Sequence, residues 1–223
     1  MNKLMVIAAH PDDELLGCGG TIAKLIENGY EAKTILLSQG LLSRGQEHIK
    51  NLKRHKENLI KANKELGIEK IEIYDFPDNS FDSVPLLKII KIVEKEIFEY
   101  NPNIIFTHYG DDLNIDHRKT FEAVMTACRP QPKTINPKIY SFFIPSSTDW
   151  VDGNSLKTFT PNTYVNIEKY IDKKIEALSF YETEMKEYPH SRSLEALKII
   201  SQYWGNRVGL KYAEPLKLIR NVW

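Results

Sequence analysis

Hydrophobic and polar positions along the chain alternate between short apolar runs and longer stretches with a helical period. Leu4 to Ala9, Thr34 to Leu37, Ile71 to Tyr74, Ile104 to Thr107 and Ile139 to Phe143 are short, apolar and closed by turn-forming residues, the pattern of buried strands. Between them lie helical stretches. Leu15 to Gly29 ends in Asn28-Gly29, Ile49 to Leu66 is closed by Gly67, Leu86 to Tyr100 carries the stripe Leu87, Ile90, Val93, Ile97, and Arg118 to Cys128 follows the fourth strand. Such a stripe and such glycine endings are helix signals. Strand and helix alternate four times, which predicts an α/β fold of the Rossmann-like, doubly wound kind, its mainly parallel sheet ordered 3-2-1-4-5. Beyond Pro145 the pattern weakens. Ser146 to Thr163 reads as loop, including Gly153-Asn154, Tyr164 to Ile167 as a short strand, and Ile167 to Met185 and Ser191 to Arg207 as helices. This C-terminal mixed extension is expected to pack on the edge of the same sheet or to cover the site. No repeat or composition shift divides the chain, so residues 1–223 are expected to form one domain.

Composition changes this picture little. The 223 residues are 42% apolar and 27% charged, ordinary for a soluble globular protein. Lys plus Arg equals Asp plus Glu at 30 each, so net charge gives no argument for nucleic acid or an anionic membrane. No apolar run approaches the roughly 18 residues of a membrane helix, and the first strand begins too early for a signal peptide. Cys18 and Cys128 form no paired motif and are expected as buried thiols in a reducing cytoplasm.

Candidate chemistry lies where two strands end. The first run stops at His10-Pro11-Asp12-Asp13-Glu14, the fourth at His108-Tyr109-Gly110-Asp111-Asp112-Leu113-Asn114-Ile115-Asp116-His117. A doubly wound sheet places its first and fourth strands side by side, and ligands bind beyond their carboxyl ends. The two polar clusters should therefore converge. Ionisable groups crowded there require pairing or a metal to offset desolvation. Gly17, Gly19 and Gly20 lie inside the first helix, where close packing on the sheet is the expected compensation for their poor propensity. A dinucleotide site would need glycines at the strand–helix turn, a place taken by three acids that repel phosphate.

Ala9-His10-Pro11-Asp12-Asp13-Glu14 together with Asn114-Ile115-Asp116-His117 resembles the zinc-dependent N-acetylglucosaminyl deacetylases, a family that includes PIG-L and LmbE-like de-N-acetylases. The likeness extends to Arg54-His55-Lys56-Glu57, to Phe76-Pro77-Asp78 and to the stretch around Tyr212-Ala213-Glu214. It implies a metal site on His10, Asp13 and His117. Two imidazoles and a carboxylate suit a tetrahedral zinc with an open position, and ferrous iron fits the same ligands. The resemblance makes Asp12 the base that takes a proton from the attacking water, where the bland reading is a helix-capping aspartate. The products would be acetate and a free amino sugar.

Several similar members carry histidine where this chain has Asn114, which can donate a hydrogen bond but cannot titrate. His190 is the substitute acid expected in a polar turn, and Asp116 is expected to orient His117 or a neighbour. His108 is not counted as a ligand. Arg54 and Asp78 match positions that contact substrate, and Arg44 is a further candidate; for all three the bland reading is a solvated charge. His48 and His55 are expected to be exposed. The partner implied is a small acetamido sugar, and the resemblance leaves room for a homo-oligomer. The alternatives are a ferrous dioxygenase using the same triad and a non-catalytic sugar- or metal-binding protein; Asp12, unnecessary as a ligand, argues against the latter.

Overall fold

The computed structural model describes residues 2–40, 52–131, 136–151 and 156–222. Arg44, His48, the polar loop from Leu41, the start of the second helix and Gly153-Asn154 lie outside them. The elements follow in the order β1 (Lys3–Ala8), α1 (Asp13–Glu27), β2 (Glu31–Leu36), α2 (Leu52–Leu66), β3 (Lys70–Ile73), α3 (Leu86–Tyr100), β4 (Ile104–Thr107), α4 (Ile115–Ala127), β5 (Lys138–Phe142), β6 (Thr163–Asn166), α5 (Ile171–Ser179), α6 (Leu194–Asn206) and β7 (Ala213–Arg220). Their strands form one seven-stranded sheet, ordered β3-β2-β1-β4-β5-β7-β6. The first five run parallel in the expected order. β7, absent from the sequence reading as a strand, runs antiparallel between β5 and β6.

β1 shows why its sequence is apolar throughout. Leu4, Val6 and Ala8 face a core shared with Leu15 of α1, Leu59 of α2 and Ala177 of α5. Met5, Ile7 and Ala9 face a second core with Ile89 of α3 and Ala123 of α4. A strand covered on both faces loses the polar half of the period-two pattern. β1 and β4 are neighbours, with Leu4 opposite Ile104 and Ile7 opposite Thr107, so the two polar clusters emerge at one place. Cys18 and Cys128 are buried and unpaired. Among the described residues no helix is long and apolar enough to cross a membrane.

The glycines of α1 permit close approach. A Cβ on Gly17 would stand 2.4 Å from the Phe142 ring, and one on Gly20 2.8 Å from Ile167. The stretch is also not the uninterrupted helix its pattern suggests, because Cys18 leaves helical geometry at φ −149°. The break exposes backbone groups that a continuous helix would satisfy, and two side chains from distant elements take them up. Glu214 on β7 accepts from the amides of Gly20 (2.9 Å) and Thr21 (2.6 Å) and from the Thr21 hydroxyl (2.6 Å). Lys174 on α5 donates to the Leu16 carbonyl at 2.8 Å and to Glu214 at 2.6 Å. All of these groups are buried.

The C-terminal helices are shorter than their periodicity suggests. α5 ends at Ser179, and Tyr181 then turns inward to bond Glu14 at 2.6 Å. α6 starts only after Ser193, whose hydroxyl accepts from the Ala196 amide as an N-cap.

Removing the carboxylate at the kink should be costly. Glu214→Ala strands the buried Lys174 ammonium and should lower stability by about 3–5 kcal/mol, with Glu214→Gln costing less. Guanidinium denaturation of the three proteins checks this; a loss below about 1 kcal/mol, the size of an ordinary substitution, would show that the kink does not depend on the pair.

Candidate metal centre

β1 passes into α1 through four residues, and Asp12 makes the reversal. Its φ of 97° is costly for a residue with a Cβ, on the order of 1–3 kcal/mol. The conformation is held from several sides. The Asp12 amide donates to Glu14 Oε2 at 3.0 Å, and the Asp12 carbonyl accepts from Leu15 (3.0 Å) and Leu16 (2.8 Å). Glu14 is itself fixed by Asn63 at 2.8 Å and by Tyr181. Asp12 stands at the N-cap position, yet its side chain makes no capping bond. Its carboxylate faces the cleft and receives Arg192 Nη1 at 3.0 Å.

His10, Asp13 and His117 each bring one donor atom within 4.8 Å of the others. Asp13 Oδ2 lies 3.3 Å from His10 Nδ1 and 3.2 Å from His117 Nε2. Asp13 Oδ1 and His117 Nε2 are buried with no hydrogen-bond partner. Buried polar atoms left this way need an explanation, and a cation between them supplies one.

The other ring nitrogens are occupied. His10 Nε2 bonds Asp116 at 2.9 Å and lies 3.2 Å from Asp78. His117 Nδ1 meets Asp112 at 3.1 Å and the Ser147 hydroxyl at 3.2 Å. Outer carboxylates of this kind set the tautomer and aim the free nitrogen at a metal. His10, Asp78 and Asp116 also form a possible cation triad. That set is already satisfied, because Asp116 takes His10 through one oxygen and the Phe81 amide through the other.

Charge tells the same story. Burial lowers the His10 imidazole, but bonds and charges from Asp116, Asp13 and Asp78 outweigh it and lift its pKa to about 10. His117 rises to about 9, burial being overcome by Asp13 and Asp112. Burial would raise Asp13, yet His117, His108 and His10 hold it well below the usual range. A field that keeps protons on two buried imidazoles also favours a divalent ion in their place. Burial raises the Asp12 carboxyl well above its ordinary value, against the pull of Arg192 and with Asp13, Glu184 and Glu14 adding repulsion.

These groups open on a cleft of about 270 Å³ lined by His10, Asp12, Asp13, Asp78, Asn79, Asn114, Trp150, Glu184, His190 and Arg192 among others. The arrangement can hold a cation at its floor, a carboxylate beside it and hydrogen-bonding groups around a small polar molecule.

The family described as GlcNAc-PI de-N-acetylase (PIG-L) matches residues 5–128. The chain belongs to this family. It is 26% identical over 235 residues to the diacetylchitobiose deacetylase of Thermococcus kodakarensis, covering 100% of this chain and 85% of that protein. It is 26% identical over 190 residues to a probable N-acetyl-alpha-D-glucosaminyl L-malate deacetylase 2 of Bacillus cereus, covering 81% and 83%. The 4-carboxy-2-hydroxymuconate hydratase GalB of Pseudomonas putida shares the fold at a TM-score of 0.79 and 21% identity, covering 100% of this chain and 98% of that one. The PIG-L fold alone therefore does not fix the reaction.

Within this PIG-L chain, the residues expected from sequence separate by position. Asn114 caps α4: its Oδ1 accepts from the Asp116 amide at 2.8 Å, which turns its amide nitrogen towards Asn79, 3.2 Å away. His190 Nδ1 accepts from the Arg192 amide at 3.0 Å, so its ring proton sits on Nε2. Asp78 lines the cleft beside His10. Arg54 is exposed and bonded to Glu182 at 2.6 Å, and the described cleft-lining residues do not include it. Asp116 orients His10, while Asp112 takes the His117 side. His108 is buried, its Nε2 accepts from the Ala9 amide at 2.9 Å, and its ring stacks on His117 with centroids 3.8 Å apart. His55, expected to be exposed, is half-buried.

Two site residues escaped the sequence reading. Asp112 is one acid in a polar run, with no spacing signal to pair it with His117. Arg192 sits two residues beyond His190, and only the fold brings it to Asp12.

Proposed function

We propose that the protein is a metal-dependent N-deacetylase that hydrolyses the acetamido group of a sugar or sugar conjugate to acetate and a free amine. The observation carrying this reading is the pairing of two orphaned metal donors, Asp13 Oδ1 and His117 Nε2, with an Asp12 carboxylate withheld from helix capping. Zinc is the ion that His10, Asp13 and His117 fit best, with ferrous iron compatible with the same donors. When bound, such an ion polarises a carbonyl and lowers the pKa of water.

The chain's own groups supply the rest. Asp12 accepts the proton of the attacking water, while Arg192 keeps its carboxylate directed into the cleft. Attack on the acetyl carbon gives a tetrahedral oxyanion. Asn114 Nδ2–H and His190 Nε2–H are neutral donors suited to that oxyanion or to sugar hydroxyls. Asp12 then returns its proton to the leaving nitrogen as the C–N bond breaks. His190 is not assigned the acid's part, because protonating Nδ1 would set two N–H groups against each other. Asp78 is assigned to His10. Arg54 reaches substrate only by leaving Glu182, a small cost for an exposed pair.

Acetate release from a panel of N-acetylated sugars, assayed with added zinc and without oxygen or a keto acid, tests the reading. Release from one or more sugars is expected; none from any would overturn it.

The adjacent aspartates should fail differently. Asp13→Asn should lose bound zinc and activity together. Asp12→Asn should keep its zinc and lose about a hundred- to ten-thousand-fold in rate. Metal analysis beside acetate release decides, and a metal-free Asp12→Asn protein with a metal-bound Asp13→Asn protein would reverse the two roles.

Asp112→Asn leaves every proposed ligand in place but weakens the anchor of His117. Zinc affinity, measured by competition with a chromogenic chelator, should fall about 10–100-fold.

A further inference from the structure

Trp150 is 55% exposed, although a large aromatic side chain is usually buried for the area it removes from water. It ends the short 3₁₀ turn Thr148–Trp150 and lines the cleft that holds Asp12 and Asp13. It is the one large apolar side chain among the described lining residues.

The turn that carries this indole is anchored to both halves of the site. On one side Asp112, the carboxylate that holds His117, accepts from the Thr148 hydroxyl at 2.5 Å and also bonds the Ser147 hydroxyl. The Thr148 hydroxyl accepts in turn from the Ile144 amide at 2.8 Å. On the other side Arg192, the partner of Asp12, donates through Nε to the Ser146 hydroxyl at 2.6 Å. Ser146 has φ +69°, a strained value that needs such support. The backbone that carries Trp150 is therefore tied to the residues that hold Asp12 and His117. His190 packs against the indole nearly edge-on, with centroids 6.0 Å apart and planes at 68°. A flat apolar face thus meets a ring whose Nε2–H is a donor.

We propose that Trp150 is the platform on which the pyranose ring of the substrate stacks, which makes it a specificity residue for cyclic over acyclic acetamides. The proposal rests on the deacetylase reading above. A pyranose has one face of C–H groups and a rim of hydroxyls. The C–H face suits the indole, and the rim suits the His190, Asn114 and Asn79 side chains around the same cleft. An acyclic N-acetyl amine offers the scissile amide without the ring face and gains nothing from the platform. Binding energy of this kind acts away from the reacting bond and appears in KM when it is equal in ground and transition states.

The test compares wild type, Trp150→Ala and Trp150→Phe, each loaded with zinc. The substrates are the best acetamido sugar of the panel and the acyclic N-acetylethanolamine. Trp150→Ala should raise KM for the sugar about ten-fold with kcat within about two-fold, the scale of one lost aromatic contact. Its kcat/KM for the acyclic amide and its zinc content should stay at wild-type levels. Trp150→Phe should restore most of the sugar KM. A misfolded turn would instead damage both substrates and the metal together, and would count against the proposal if Trp150→Phe did the same. In a second arm, Asp12→Asn protein is titrated with N-acetylglucosamine while tryptophan emission is followed. The change expected on binding should vanish in Asp12→Asn carrying Trp150→Phe. If wild type cleaves the sugar but Trp150→Ala keeps its KM, the platform is wrong and the deacetylase reading stands. If wild type cleaves no sugar, the deacetylase reading falls and the platform falls with it.

Discussion

The site depends on how the chain passes from β1 into α1 at Asp12. With Ala8 ending the strand and Asp13 starting the helix, no long loop is available, and the direction must change within a few peptides. The positive φ at Asp12 makes the change. It turns the Asp12 carboxylate out of the capping position and leaves the His10 amide bonded to Asp13 Oδ2 at 3.0 Å. A relaxed N-cap here would spend Asp12 on helix amides. The strain is balanced by Glu14, whose carboxylate receives the Asp12 amide and is buttressed by Asn63 and Tyr181. The third acid of the motif thus stabilises the geometry that sets out the first two.

Buried charge imposes the next constraint. Asp12, Asp13, Asp78, Asp112 and Asp116 are all buried around one cleft, and each requires a partner because an unpaired buried carboxylate is costly. Arg192 answers Asp12, His10 answers Asp78 and Asp116, and His117 answers Asp112. Asp13 stands between both imidazoles with one oxygen unmatched. The outer carboxylates leave one nitrogen of each imidazole directed inward, so their placement is as much a part of the candidate centre as the three inner groups.

The parallel half of the fold was legible because burial on both faces of the sheet writes a continuous apolar run into β1 and shorter apolar clusters into β2, β4 and β5. The convergence of His10 to Glu14 with Asn114 to His117 followed from strand order alone. β7 was not legible. Ala213 to Arg220 mixes Glu214, Pro215, Lys217 and Arg220 among its apolar positions, because it serves a polar helix break as well as the sheet. The kink at Cys18 was hidden for the same reason, since its satisfaction comes from Lys174 and Glu214, far along the chain. Arg192 was missed because it meets Asp12 only across 180 residues of separation, and Asp112, although only 5 residues from His117, is one acid among several in a polar run with no periodicity to single it out.

The Asn114 position shows how far the local physics carries the proton economy. An asparagine at the start of α4 can serve two ends at once, its oxygen capping the helix and its nitrogen donating to Asn79 at the cleft with a second N–H to offer. A histidine there would bring a titratable group, which this chain does without. His190 is not given the acid's part in the proposed reaction either, because its Nδ1 accepts from the Arg192 amide. Two neutral donors can steady an oxyanion but cannot hand over a proton. In the proposed reaction both proton transfers therefore pass through Asp12, whose carboxylate gains and loses a proton within one turnover. Arg192 can remain in place through that cycle because its Nε bond to Ser146 does not depend on the charge of Asp12.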